Sequence, residues 1–258
     1  MSLLEAIILG IIQGMSEFIP VSSSGHLLVF HHIFNIEAED NLTFIIVLNM
    51  GSLLPLLFVF RNDIWELMKK PFQKTTALLV IATIPLVIVT LLFEGFIESM
   101  FYMVRFLPVG FVITGVVLLL SDRLKNNSKD MDKISYLDAA LIGIAQAFAV
   151  FPGISRSGST ITATMARGVN RESAARFSFL MSIPAAFGAM IFRFSRVIAD
   201  PELIGNLNFV NLGAGFVTAA VTGYLAINVM LAVIRKAKLK YFAFYYIFAL
   251  AVLIFLFF

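Results

Sequence analysis

The chain has 258 residues, 60% of them apolar and only 14% charged, with a mean hydropathy of +0.94; soluble domains carry about 25% charged residues, so an ordinary soluble globule is excluded. The net charge of +3 is small, and the basic residues sit in short loops rather than along one face, which argues against a nucleic-acid partner. With no cysteine, disulfides, thiolate nucleophiles and cysteine-based metal sites are excluded as well.

The first apolar stretch, 3–15, is shorter than the roughly 20 helical residues a bilayer crossing needs. It lacks a basic leading segment and a small-residue cleavage site. Glu17 and Ser22-Ser23-Ser24 stand where cleavage would fall, so it reads as mature protein rather than as a signal peptide. Pro20 stops the helix, the Ser-Gly stretch after it favours non-helical backbone, and a second short apolar stretch, 27–34, leads away. Helix, polar break, helix describes a re-entrant hairpin. Broken backbone at membrane depth is tolerated only where protein or a watery cavity covers it. Three apolar runs follow, at 42–60, 77–95 and 105–121. A second hairpin then breaks at Pro152-Gly153 and is followed by runs at 175–193, 210–228 and 238–254.

These two series are one pattern repeated. Leu9-Gly10-Ile11-Ile12-Gln13 resembles Ile142-Gly143-Ile144-Ala145-Gln146, and without a gap Val21-Ser22-Ser23-Ser24-Gly25 falls on Ile154-Ser155-Arg156-Ser157-Gly158. Residue 9 pairs with 142 and residue 25 with 158, 133 positions apart in each case. The expected fold is therefore an all-α integral membrane protein with six transmembrane helices and two re-entrant hairpins. It forms one membrane domain, 1–258, made of two inverted repeats, about 1–125 and 134–258.

Basic residues set the expected orientation, because short cytoplasmic loops are enriched in Lys and Arg. Arg61, Lys69, Lys70 and Lys74 follow the first span, and Arg123, Lys125, Lys129 and Lys133 the third. Arg167 and Arg171 flank the second hairpin, and Arg235, Lys236, Lys238 and Lys240 precede the last span. All fall on one side of the six-span arrangement, with only Arg105, Arg193 and Arg196 opposite. Both termini then face outward. The first hairpin enters from outside and the second from the cytoplasm.

A charge within the bilayer costs at least about 2.5 kcal/mol, which marks Glu17 in the first hairpin and Arg156 at the tip of the second as functional candidates that the repeat brings together. A structural ion pair pinning the hairpins is the competing reading. Gln13 and Glu17, four apart, share a helix face. His26 follows the serine cluster directly, while His31 and His32 lie near the outer interface and read as solvated. Ser22 and Ser24 suit backbone capping. As a group, though, hydroxyls and backbone N–H groups at a helix start, facing an Arg, form an anion cradle. Arg156 offers a fork suited to phosphate, with Ser155, Ser157, Ser159 and Thr160 around it. Glu17 in the same cavity suits a hard divalent cation, and Ser or His would serve as nucleophile or base.

Gln13-x-x-x-Glu17-Phe18-Ile19-Pro20-x-Ser22-Ser23-Ser24-Gly25-His26 and Pro152-Gly153-x-Ser155-Arg156-Ser157-Gly158-x-Thr160 resemble the two signatures of the undecaprenyl-diphosphatase family, the bacitracin-resistance type of polyprenyl diphosphate phosphatase. The resemblance covers essentially the whole chain, including Gly51-Ser52 and Ser182-Ile183-Pro184. It implies hydrolysis of undecaprenyl diphosphate to the monophosphate and orthophosphate, a divalent-cation cofactor (Mg²⁺ or Ca²⁺), and recycling of the cell-wall lipid carrier. It implies a multi-pass protein of the bacterial plasma membrane with its site open to the periplasmic side. The partners are then the polyprenyl diphosphate and the bilayer, with a homodimer among the assemblies allowed. The catalytic positions carried over are Glu17, Ser23, His26 and Arg156. Gln13, Ser22, Ser24, Ser155, Ser157 and Thr160 contact substrate, and Glu17 with Gln13 holds the cation. Many members have Glu at the position of Gln13, whose amide can ligate a cation but cannot act as a base. Whether Ser23 attacks with His26 as base, or His26 attacks directly, stays open at this point.

Two other functions fit parts of the pattern. Inverted repeats with broken helices also build transporters, which would move a lipid phosphate without cleaving it. Acid-phosphatase-like lipid phosphatases also carry a Ser-Gly-His element, but they need a further downstream His, and none follows His32.

Overall fold

The computed structural model describes residues 1–36, 38–101, 103–124, 128–199, 208–236 and 239–257. Lys125 and Lys238, and the side chains of Arg193, Arg196 and Lys236, lie outside what it describes.

Helix α1, Leu3–Phe18, starts at a reciprocal cap. Ser2 Oγ accepts the Glu5 N–H at 3.3 Å, and Glu5 Oε2 accepts the Ser2 N–H at 2.8 Å, which satisfies two of the orphan donors of the first turn. Helix α2, Ser23–Ile33, is capped by Ser22, whose Oγ accepts Gly25 N–H at 3.3 Å. Thus Ser23 and Ser24 already belong to the helix, and only Ser22 remains in the break. Ser22 takes a positive φ of 68°, a strained backbone for a residue with a Cβ.

Helix α3, Ala38–Val59, bends by 77° into α4, Arg61–Lys69. That basic segment reads as a loop from its charges, yet Ile64, Trp65 and Met68 supply enough apolar spacing for two turns of amphipathic helix. Helices α5, Lys74–Leu92, α6, Glu94–Phe101, and α7, Leu107–Ser121, complete this half.

Several helix boundaries recur later in the chain at a constant offset. Helix α8, Tyr136–Phe148, opens on the same reciprocal cap, Ser135 with Asp138, at 3.1 and 3.0 Å. Helix α9, Arg156–Ala166, is capped by Ser155 on Gly158 N–H at 3.1 Å. Both ends of α9 stand 133 residues beyond those of α2. The starts of α10, Arg171–Ala199, and α12, Lys240–Phe257, stand the same distance beyond α3 and α7. Helix α11, Phe209–Lys236, lies between them.

The described parts of the six apolar runs are almost wholly helical. Among the described residues four helical stretches are long and apolar enough to cross a bilayer, and the bent α3–α4 pair makes a fifth. Lys240–Phe255 is a shorter apolar helix. Large apolar side chains such as Phe58, Leu91, Val221 and Phe248 are exposed on the outer surface, as a lipid-facing belt requires. The protein is an all-α, multi-pass membrane protein.

Each hairpin packs on a span of the other half: α1 lies along α11, and α8 along α5. Glycine makes both approaches close. A Cβ on Gly10 would sit 2.5 Å from Gly215 O, and one on Gly143 2.5 Å from Ala82 O. Since the obstacle is backbone, Gly143→Ala forces the helices apart, and overpacking of this kind costs about 1–3 kcal/mol. Thermal melting in detergent is expected to drop measurably for Gly143→Ala. It is expected to stay unchanged for Gly95→Ala, whose Cβ would meet nothing within 4 Å. Equal melting of the two variants would remove this account of the packing.

Candidate active site

The two hairpin tips meet. A Cβ on Gly25 would lie 3.2 Å from Gly153 Cα, one on Gly158 3.3 Å from Pro20 Cβ, and Ser157 Oγ donates to Ile19 O at 3.4 Å. Gly153, at φ +86°, makes the turn that brings Pro152 against Gly110. Because α2 and α9 both start at these tips, two helix N-termini converge there. Their unsatisfied N–H groups and partial positive charge favour an anion.

Glu17, in the last turn of α1, pairs through Oε1 with Nη2 of Arg156, the first residue of α9. Its Oε2 accepts from Ser23 Oγ at 2.6 Å and from Gln13 Nε2 at 3.1 Å. Gln13 Nε2 also donates to Asn49 Oδ1 at 2.9 Å and Ser52 Oγ at 3.2 Å, both on α3. The Glu17 and Arg156 side chains are 18% and 24% exposed, so the pair is reachable rather than sealed. Gln13 is buried, and its Oε1 has no hydrogen-bond partner among the described residues.

His26 stands apart from Ser23. Its Nδ1 lies 2.7 Å from Ser22 O, and since a carbonyl only accepts, Nδ1 carries the proton. In the neutral ring Nε2 then accepts from the Tyr245 hydroxyl. The Phe111 and Tyr245 rings lie nearly parallel to the imidazole, each 5.6 Å between centroids. No hydrogen bond joins His26 to Ser23 among the described residues, because Ser22 and Tyr245 occupy one and Glu17 the other. A Ser23–His26 pair is thus replaced by a Ser23–Glu17 pair.

The remaining candidates hold the tips. Ser155, Ser157 and Thr160 are buried. Ser155 N–H donates to Thr114 Oγ1 at 3.0 Å, and Ser155 Oγ lies 3.3 Å from Ser157 Oγ. Thr160 Oγ1 donates to Arg156 O at 2.8 Å and meets Ser178 Oγ at 2.5 Å. Ser22 is buried, with Ser24 Oγ 3.4 Å from its own Oγ. His32 is exposed as expected, but His31 is buried at the end of α2, one helical position having turned it inward.

Sequence reasoning missed Asn49, Thr114 and Tyr245. A lone amide within the apolar run 42–60 was a readable signal for Asn49. Nothing singles out Tyr245 among Tyr241, Phe242, Phe244 and Tyr246.

A family model described as bacitracin resistance protein BacA matches residues 6–253. The chain belongs to that family. Among relatives, it is 40% identical over 245 residues to the undecaprenyl-diphosphatase of Carboxydothermus hydrogenoformans, covering 95% of this chain and 94% of that protein. It is 42% identical over 255 residues to undecaprenyl-diphosphatase 4 of Bacillus thuringiensis, covering 98% and 96%. It is 40% identical over 248 residues to the undecaprenyl-diphosphatase of Methanococcus vannielii, covering 94% and 95%. The BacA match includes both hairpins, so every residue of the central cluster lies within it.

Proposed function

We propose that this membrane enzyme hydrolyses undecaprenyl diphosphate to undecaprenyl phosphate and orthophosphate, returning the lipid carrier to cell-wall synthesis and so conferring bacitracin resistance. Family membership and the names of the relatives support the substrate. The observation that carries the chemistry is the serine hydroxyl 2.6 Å from a carboxylate, itself paired with an arginine where two helix N-termini converge.

Arg156 and the free N–H groups of α2 and α9 bind the terminal phosphoryl group and offset its growing charge, the main task in phosphoryl transfer. Ser23 Oγ attacks phosphorus while Glu17 takes its proton. The bond from phosphorus to the bridging oxygen breaks, and its electron pair leaves on the lipid monophosphate. Water then cleaves the phosphoserine, and Glu17 returns the proton to Ser23 Oγ. Ser23 is favoured over His26 as nucleophile because the Nε2 lone pair of His26 is already engaged by Tyr245.

A divalent cation fits this cluster. The partnerless Gln13 Oε1 and the Glu17 carboxylate are hard oxygen donors of the kind Mg²⁺ and Ca²⁺ prefer. When bound, the ion neutralises charge on the diphosphate oxygens. Among the described residues no three His, Asp or Glu side chains form a ready metal cage, so substrate and water would complete the coordination. Purified protein is expected to release orthophosphate from undecaprenyl diphosphate and to stop when a chelator is added. Binding without phosphate release would overturn the hydrolase reading in favour of a transporter, and indifference to chelator would remove the cation.

The basic loops and the paired helix boundaries support two inverted repeats in the bacterial plasma membrane, the site opening to the outer face. A reporter active only in the cytoplasm is expected to be silent when fused after Phe258 and active when inserted near Asn127. The opposite pattern would sink this orientation.

A further inference from the structure

The geometry points to Tyr245, on the last helix, as a positioning residue that fixes the tautomer and orientation of His26; its part in turnover rests on the phosphatase reading above, with His26 in the same first turn of α2 as the attacking Ser23. Three observations converge. The Ser22 carbonyl can only accept, so the 2.7 Å contact places the His26 proton on Nδ1. In the neutral imidazole Nε2 is then a lone pair, and the Tyr245 hydroxyl is the donor that meets it. The Tyr245 ring runs nearly parallel to the imidazole, 5.6 Å between centroids at 23°, and Phe111 lies 5.6 Å away at 27°. The ring is therefore fixed in plane by Ser22 and Tyr245 and in tilt by Phe111.

Ser22 reaches this position through its strained φ of 68°, a cost a folded chain keeps where the surroundings over-determine the conformation. A histidine held only by its own helix could rotate about its side-chain bonds and exchange tautomers; with one acceptor and one donor fixed at opposite nitrogens it does neither. Tyr245 is also 38% exposed. The neighbouring Tyr246 differs: it is buried, its ring meets Phe111 edge-on at 5.3 Å, and its hydroxyl is turned toward Thr114 and Ser155. One helix thus presents two adjacent phenols, and only Tyr245 has its hydroxyl on the histidine.

The test uses the full chain in detergent, ¹⁵N-labelled at its three histidines. Tyr245→Phe keeps the stacked ring and removes the donor. One imidazole is expected to show the resonance pattern of a fixed Nδ1–H tautomer in the native protein, to move its Nε2 signal in Tyr245→Phe, and to keep it in Tyr246→Phe. Assignment to His26 comes from loss of that pattern in His26→Gln. Phosphate release is expected to fall about 10-fold or more in kcat for Tyr245→Phe with KM little changed, and Tyr245→Phe is expected to add nothing in the His26→Gln background. An unmoved Nε2 signal overturns the hydrogen bond whether or not the protein is a phosphatase. A moved signal with kcat unchanged, or a full kcat loss that persists without His26, overturns the positioning role. Melting curves of all variants separate these outcomes from misfolding.

Discussion

Glu17→Gln is expected to lower phosphate release by at least about 10³-fold. Three donors converge on this carboxylate: Ser23 Oγ, Gln13 Nε2 and Arg156 Nη2. A glutamine cannot take the Ser23 proton, and loss of a general base alone costs about 10² to 10⁴ in rate. The amide also turns one oxygen into an NH₂ facing donors, so either Arg156 or Ser23 loses its acceptor. Truncating one member of a buried ion pair destabilises by a few kcal/mol, but with Glu17 and Arg156 partly exposed the structural loss here is smaller than the catalytic one. Glu17→Asp separates the two: the charge stays, the reach shortens by one methylene, and folding is expected to survive while turnover does not. Phosphate release within 10-fold of native from Glu17→Gln, in protein of normal melting temperature, would show that Glu17 is a structural partner only.

Arg156→Lys is expected to cost about 10² to 10³ in kcat. The guanidinium reaches Glu17 through Nη2 and leaves its other N–H groups for a phosphoryl oxygen, an allotment that a single ammonium cannot make at both places at once. Removing one donor to charge that develops in a transition state costs of that order in other enzymes. The main chain around it is held independently, by Thr160 Oγ1 on Arg156 O and by the Ser155 cap, so the helix start is expected to persist in the variant. Normal turnover with Lys, together with poor yield of Arg156→Ala, would return the residue to a purely structural role.

The meeting of Glu17 with Arg156 was legible because a repeat at constant offset carries geometric information that helix propensity does not. If 17 and 156 sit near the tips of equivalent hairpins, the tips have only the molecular centre in which to meet. Of the two serines read as caps, Ser22 caps α2 on Gly25 N–H while Ser24 lies inside the helix, and the equivalent cap by Ser155 on Gly158 was read only as part of the anion cradle. What could not be read was partner choice within the cluster. Ser23 and His26 are three residues apart and suggest a pair, yet the hydroxyl goes to Glu17 and the ring to Ser22 O and Tyr245. That outcome depends on one strained dihedral at Ser22 and on a tyrosine 219 positions away from His26, neither of which leaves a periodic trace. The bend into α4 was hidden similarly, because charge marked 61–74 as a loop while its apolar spacing was too short to register.

The crossing of partners, α1 against α11 and α8 against α5, dictates an order of assembly. As the nascent chain leaves the ribosome, the first hairpin carries its carboxylate and serine into the bilayer with α3 of its own half, but not yet α11, to lie against. The helix that will cradle it begins only at Phe209. Hydrophobic spans insert first and pack afterwards, and contacts this distant in sequence close last. A chain interrupted between the first hairpin and α11 would thus hold the hairpin's side chains without the span they pack on, which makes a truncated product inert rather than a poorly controlled hydrolase loose in the membrane.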